Sequence, residues 1–381
     1  MLYPTGPPNR GGHTLLICLL HQSTSYSPQE KGHSPPTIKP RPSPPTTQDN
    51  KTSSVPFVRE HLTSKGLSTT ASDVILQAWK PGTQKQYKSY LQRWELYCRE
   101  QEINTVSASV IDGINFLGDL YQKKLSYSAI NSARSALSTV IFPTEGGTFG
   151  NHPLGSRFLR GVFTTRPSLP RYQEIWDVST VLSYLKTLHP LESLSLQLLT
   201  LKTTMLLALL SGQRCQTIHA LEVSHMTLTD KNCVFYIQKL LKTSKPGKHL
   251  GRLEFRSFEE DKKLCIVTVL TEYVNRTKLT RGSYTQLLLS FCKPFKPVSI
   301  DTIARWLKKV LEQAGIDINK YGAHSTRAAS TSAAKAANVS VKTIMDAAGW
   351  ATAGTFSKFY DKPISTTESV NFGVDLLKAQ C

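Results

Sequence analysis

The run Leu194 to Leu210, LSLQLLTLKTTMLLALL, restricts the possible folds more than any other part of the chain. Its apolar residues fall on every side of a helix, so such a helix has no face to give to water and must be enclosed by other elements. At roughly seventeen residues, with Lys202 and several threonines, it is a poor membrane span, which needs ~18 or more consecutive apolar positions. The run is therefore expected to be the buried central helix of a domain. No segment reaches spanning length, so no membrane partner is expected.

The surrounding sequence supplies what would enclose it. Helices are expected at Asp177 to Leu188, Ile266 to Thr277 and Ser299 to Ala314. The last is capped by Ser299, ended by Gly315, and buries Trp306, Leu307, Val310 and Leu311. That leaves Lys293, Lys296, Arg305, Lys308 and Lys309 as a basic face. Between these helices, CVFYIQKLLKTSKPGKHLGRLEF alternates β-branched and aromatic residues around Pro246-Gly247, which reads as a hairpin turning there.

Upstream lies a second, helical region. From Ser72 a helix carries Ile75, Ala78 and Trp79, and Pro81-Gly82 breaks it. A second helix, with Thr83 as N-cap, spaces Tyr87, Tyr90, Leu91, Trp94 and Tyr97 by threes and fours. Two more are expected at Ser107 to Lys124 and Ser126 to Ile141. The aromatic stripe reads as core. Gly and Pro punctuate Pro143 to Trp176, where Arg157, Leu159, Arg160 and Gly161 form a short closing helix before a linker, TTRPSLPR. The fold class is thus mainly α with a small β-sheet, in two domains.

The chemistry concentrates at Tyr321 to Pro363, YGAHSTRAASTSAAKAANVSVKTIMDAAGWATAGTFSKFYDKP. His324 and Arg327 lie three apart, one turn of a helix, so one phosphate could touch both. Arginine suits phosphate because its planar guanidinium donates two parallel hydrogen bonds and stays charged. Histidine adds a donor that can trade a proton. Trp350 brings an indole donor. Tyr360 follows an apolar turn in which Phe356 and Phe359 are expected to pack inward, leaving its phenol free as a nucleophile.

Composition points to a polyanion. There are 46 Lys+Arg against 27 Asp+Glu, a formal net charge of +19. Each phosphate that such a surface neutralises releases condensed counterions, so nucleic acid is the expected partner. The 7 cysteines are odd in number and contain no CxxC pair, which argues against a disulfide framework or a zinc cage and for a reducing compartment. No carboxylate trio or pair has metal-binding spacing, so neither a metal nor another cofactor is expected.

HSTR at His324 to Arg327, GW at Gly349 and Trp350, and Tyr360 together resemble the tyrosine recombinase (phage integrase) family. The wording AGWATAGTFSKFYDKP looks most like the recombinases of DIRS-like and Crypton-like eukaryotic mobile elements. The resemblance runs over about 72 to 363, and SGQR supplies the family's upstream arginine as Arg214. It departs at Thr217, where the family usually carries an acid that helps hold the site. It implies a SAM-like, core-binding N-terminal domain and an α+β catalytic domain. By this reading 1–68 is a disordered Pro/Ser-rich tail, 69–165 the helical DNA-binding domain, 166–176 a linker, 177–365 the catalytic domain and 366–381 a C-terminal tail helix.

The resemblance also implies an activity. The family cleaves and rejoins DNA through a 3′-phosphotyrosyl intermediate without metal. Tyr360 would be the nucleophile, Arg214 and Arg327 the phosphate forks, His324 the acid/base, and Trp350 a donor or packing residue. The hairpin lysine that protonates the leaving oxygen would be Lys242, at the end of a strand, with Lys245 and Lys248 as alternatives. Lys80, Lys85, Lys88, Arg93, Lys245, Lys248 and Arg305 are the named DNA-binding candidates, joined by Lys123, Lys124, Arg134, Arg166 and Arg171. Double-stranded DNA, self-association into a tetramer on it and a nuclear location follow as expectations. A non-catalytic, domesticated DNA-binding protein and a type IB topoisomerase-like enzyme are the alternatives.

Overall fold

The structure is a computed structural model and describes residues 56–143, 146–167, 172–247, 249–350 and 352–365. These divide into two compact units, one ending by Pro170 and the other beginning at 171. The expected tail helix at 366–381 and the first 55 residues of the expected disordered tail lie outside the described residues.

Among the described residues the first unit has six α-helices: α1 (Pro56–Ser64), α2 (Thr69–Gln77), α3 (Pro81–Glu100), α4 (Val110–Gln122), α5 (Tyr127–Leu137) and α6 (Pro153–Thr165). α1 falls inside the stretch expected to be disordered. Its Val58, His61 and Leu62 recur at helical spacing and are buried, a short period hidden in a polar neighbourhood. Pro81 opens α3 as its first residue, where a missing N–H costs nothing, so Lys80 and not Thr83 is the N-cap. Ser109 and Asp112 form a reciprocal capping box on α4, and Ser126 caps α5.

The aromatic stripe of α3 is core. Trp94 is fully buried, edge-on to Phe116 at 5.3 Å. A Cβ at Gly113 would stand 2.6 Å from the Phe149 ring, so only glycine lets α4 approach there. Two expected DNA contacts are half-buried and serve as internal struts. Arg134 donates to the Gly150 carbonyl. Arg166 stacks its guanidinium 3.8 Å above the Tyr121 ring and donates to the carbonyls of Tyr121 and Leu125. Arg171 lies outside the described residues. Lys123 is exposed and paired with Asp119, and Lys124 is exposed.

The second unit is built around α8 (Leu196–Ser211), which is buried on all sides from Leu199 to Leu209. Its threonines return their hydroxyls to the preceding turn, as from Thr203 to the Leu199 carbonyl at 2.7 Å. Lys202, fully buried, donates to the Leu188 carbonyl at 2.6 Å, and burial draws its pKa down to about 8. Packed against α8 are α10 (Ile266–Thr277), α11 (Ile300–Gln313) and α12 (Ser325–Ala336). Around these stand α7 (Val178–Thr187), the short α9 (Cys215–His219), α13 (Val341–Ala348) and α14 (Ala353–Phe359).

A three-stranded antiparallel sheet, β1 (Met226–Leu228), β2 (Asn232–Tyr236) and β3 (Arg252–Arg256), covers one side in the order β1-β2-β3. Asn232 pairs with Arg256 and Tyr236 with Arg252. The hairpin is therefore shorter than expected, and a long loop joins Ile237 to Gly251, whose carbonyl accepts from the Ile237 N–H at 2.9 Å. Pro246-Gly247 does turn within that loop, with Gly247 at φ 72°. Among the described residues no helix is long and apolar enough to cross a membrane.

Candidate active site

α8 ends where Gly212 turns left-handed at φ 57°. A Cβ there would press on Thr331 at 3.3 Å. The turn delivers Gln213 and then Arg214, the N-cap of α9, at the edge of the core. α12 starts beside it, with His324 as its N-cap residue and Arg327 in its first turn. Trp176 fastens that start by donating its indole N–H to Ser325 Oγ at 2.9 Å.

Arg327 is 2% exposed. Its Nη2 donates to the Ala348 carbonyl at 2.7 Å, while its Nε and Nη1 are buried without a well-formed hydrogen bond among the described residues, the Tyr360 hydroxyl being a weaker partner of the guanidinium. Its guanidinium carbon sits 4.5 Å from the centre of the Trp350 ring and 5.3 Å from that of Tyr360. Burial and the neighbouring Arg214 guanidinium push its pKa down, and the Tyr360 phenol pulls it back. Among the described residues no carboxylate is among the groups acting on it. A guanidinium keeps its proton under this pressure, so the site holds uncompensated positive charge.

Tyr360 brings its hydroxyl to 3.3 Å from His324 Nε2, and the two rings meet edge to face at 5.9 Å. Burial lowers the His324 pKa, and Arg327, Arg214 and Lys242 lower it further. Burial is the larger cause, and the three cations add to it. His324 is thus neutral near pH 7, and Nε2 can accept the phenolic proton when Nδ1 carries the ring's own.

The tyrosine is held from behind. Ser332 donates to the Tyr360 carbonyl at 2.7 Å and accepts from the Lys362 N–H at 3.1 Å, and Lys335 pairs with Asp361. The Pro363 carbonyl accepts from the Ile175 N–H at 2.8 Å. The local packing differs from expectation. Phe356 and Tyr360, four apart, share the inward face and are 1% and 8% exposed, whereas Phe359 points out at 57%. α14 also ends at Phe359, before Pro363 can stop it. Trp350 packs 4.5 Å from the Tyr360 ring and 5.5 Å from Phe356.

Lys242 lies six residues beyond the end of β2, in a turn anchored by buried Leu241, rather than at a strand end. Ser244 closes that turn, with its N–H to the Leu241 carbonyl and its Oγ accepting from the Leu241 N–H at 2.9 Å. The Lys242 N–H donates to Gln216 Oε1 at 3.1 Å, which ties the loop to the helix that Arg214 opens. A cavity of about 150 Å³ beside Trp350 is lined by Thr243, His249 and Leu250 of this loop and by Met345, Asp346 and Gly349.

The structure therefore brings Arg214, Lys242, His324, Arg327, Trp350 and Tyr360 to one place. The remaining described basic candidates are on the surface. Lys80, Lys85, Lys88 and Arg93 are exposed on α3 and its cap in the first unit. Arg305 is exposed on α11, donating to Thr302 Oγ1 at 3.0 Å. Lys245 is exposed in the loop, and Lys248 lies outside the described residues.

Sequence reasoning missed Gln213, Gln216, Ser332 and Trp176. Gln213 lies inside SGQR, where only Arg214 was singled out, and the other three belong to no motif; the one signal was a polar Gln213 just after an all-apolar helix. Thr217, at the position of the expected acid, is 4% exposed and donates to Gln213 Oε1 at 3.0 Å. Among the described residues no three His, Cys, Asp or Glu side chains are grouped to hold a metal ion.

No family model and no curated protein matches this sequence. Solved structures do. The chain is similar to the XerH site-specific recombinase bound to palindromic difH substrate in a post-cleavage complex, with 14% identity and a TM-score of 0.53 over 79% of this chain and 83% of that one. It is similar also to the Tn1549 transposon integrase in complex with transposon right end DNA, with 14% identity and a TM-score of 0.52 over 85% and 98%. A mostly helical body carrying one small antiparallel sheet is common to the comparison, and the second unit of this chain has the tyrosine recombinase catalytic-domain fold.

Proposed function

We propose that the protein cuts and rejoins duplex DNA through a covalent 3′-phosphotyrosyl intermediate, as a tyrosine recombinase or integrase. What carries the reading is Tyr360, whose hydroxyl lies 3.3 Å from a neutral histidine and beside a buried arginine whose one well-formed hydrogen bond among the described residues goes to the Ala348 carbonyl. A nucleophile, a proton acceptor and uncompensated cations, with no carboxylate among the described residues acting on Arg327, suit a phosphodiester better than any neutral substrate.

In this reading Arg214 and Arg327 take the nonbridging oxygens of the scissile phosphate and stabilise the charge of the pentavalent transition state. Tyr360 Oη bonds to phosphorus as its proton passes to His324 Nε2. The bond from phosphorus to the 5′ oxygen breaks, and Lys242 protonates that oxygen. One phosphodiester has been exchanged for another, so a free 5′ hydroxyl can reverse the step and join a new strand without added energy. Trp350 packs Arg327 against Tyr360.

The basic face of α3 with Arg305 and Lys245 would supply backbone contacts that position rather than specify. Double-stranded DNA as partner, assembly into a tetramer on it, a nuclear location and origin in a DIRS-like or Crypton-like mobile element complete the proposal.

The test is a nicked-duplex suicide substrate with a randomised core, incubated with wild type and Tyr360→Phe and run on a denaturing gel. A protein–DNA adduct from wild type alone is the expected result. Salt-sensitive binding with no adduct from either protein would overturn strand cleavage and leave a non-catalytic DNA-binding protein. Relaxation of supercoiled plasmid by adduct-forming monomers, with no strand exchange, would indicate a type IB topoisomerase-like enzyme.

A further inference from the structure

Gln213 and Thr217 are 5% and 4% exposed. A buried amide needs partners at both ends, and here each end has one. Thr217 Oγ1 donates to Gln213 Oε1, which fixes the orientation of the amide, and Gln213 Nε2 then donates to the Ala347 carbonyl. That carbonyl is one of the last of α13, which have no donor within the helix. The next one, Ala348, takes Arg327 Nη2.

Gly349 then turns left-handed at φ 69°, its would-be Cβ 4.0 Å from Gln213 Nε2, and Trp350 follows. Gln213 itself directly precedes Arg214. One side chain thus couples the first arginine, the second arginine and the tryptophan, across 134 positions of sequence.

We infer that Gln213, oriented by Thr217, is a positioning residue: its amide clamps the end of α13 and so sets Trp350 and Arg327 where the phosphate is received. The inference rests on the strand-cleavage reading for its consequence on rate. It also accounts for the missing acid. A carboxylate at 217 has no proton to give Gln213 Oε1. The amide would turn over toward it and set its oxygen against the Ala347 carbonyl.

The test compares wild type with Gln213→Glu, Thr217→Val, Thr217→Asp and Thr217→Ser in the full chain. The readouts are melting temperature, DNA affinity, single-turnover adduct formation and amide hydrogen exchange at 344–350. Gln213→Glu, Thr217→Val and Thr217→Asp should each slow adduct formation on the order of ten- to a hundredfold, the effect of a small misplacement. Their DNA affinity should be unchanged, and exchange at Gly349 and Trp350 faster. Thr217→Ser, which keeps the hydroxyl, should restore both rate and protection.

Wild-type rate and protection in Gln213→Glu, or faster cleavage in Thr217→Asp, would overturn the inference while the strand-cleavage reading stands. No adduct from wild type would overturn that reading. Exchange at Gly349 and Trp350 would still decide whether Gln213 clamps α13.

Discussion

Replacing Arg327 with methionine should abolish adduct formation yet leave the DNA-free protein at least as stable as wild type. The guanidinium is 2% exposed, has two nitrogens without a well-formed hydrogen bond among the described residues, and lies close to Arg214. Removing a buried charge without a counterion recovers several kcal/mol, taken as ~4. Against this stand ~2 kcal/mol for the charge-assisted hydrogen bond to Ala348 and ~1 kcal/mol for the contacts with the Trp350 and Tyr360 rings. Methionine is flexible enough to fill most of the space. The balance is a gain of ~1 kcal/mol, or a melting point higher by about 2–4 °C for a domain of this size.

The same logic makes an oxyanion a stabiliser of wild type only. At ten times its dissociation constant, sulfate would add ~1.4 kcal/mol to wild type and nothing specific to the variant. Melting curves in sodium sulfate and sodium chloride of equal ionic strength separate this from sulfate's general effect, which both proteins share. A variant that melts more than ~4 °C below wild type, with the same sulfate response, would refute the view of Arg327 as a cation awaiting phosphate.

The lowered His324 pKa places the acid limb of DNA-free reactivity below pH 6.5, because the imidazole loses its proton-accepting nitrogen only as pH falls through that value. The sign for stability agrees. Unfolded histidine binds more protons between the lowered value and 6.5, so His324's contribution is full above 6.5 and lost as pH falls through the lowered pKa. His324→Gln should erase the limb, and a limb above 6.5 in the pH profile of the free protein would contradict the assignment. Phe356→Ala should cost ~3–5 kcal/mol in urea unfolding and exposed Phe359→Ala no more than ~0.5; the larger loss at Phe359 would mean the two faces of α14 are exchanged. Changing Lys85 and Lys88 together to glutamine should lower the slope of log affinity against log salt by ~1.8, about 0.9 for each phosphate contact. An unchanged slope would remove them from the DNA surface.

Much of the fold was legible because burial leaves a pattern in composition. The Leu194 to Leu210 run has no polar face, and that alone requires a helix wrapped by others. Patterns of one residue were less reliable. Proline at 81 reads equally as a break or as a first helical residue, and the choice depends on which N–H the fold leaves unused. The hairpin was read too long because Leu240 and Leu241 extend the apolar alternation. In the structure Leu241 anchors a loop turn and Leu240 is 81% exposed.

The site divides in the same way. Tyrosine, histidine and arginine announce themselves because few other side chains can attack phosphorus, move a proton and fork a phosphate. Whether their charges are balanced cannot be read from spacing, since it depends on which carboxylates the tertiary fold keeps away. Here the fold sets three cations near His324 and leaves two nitrogens of Arg327 without a well-formed hydrogen bond among the described residues. Folding must pay for that arrangement, and the clamp at Gln213, Thr217 and Ser332 holds it in place without adding a negative charge. A carboxylate among these supports would stabilise the empty site and compete with the phosphate. A neutral amide and two hydroxyls stabilise the geometry while leaving the charge for DNA.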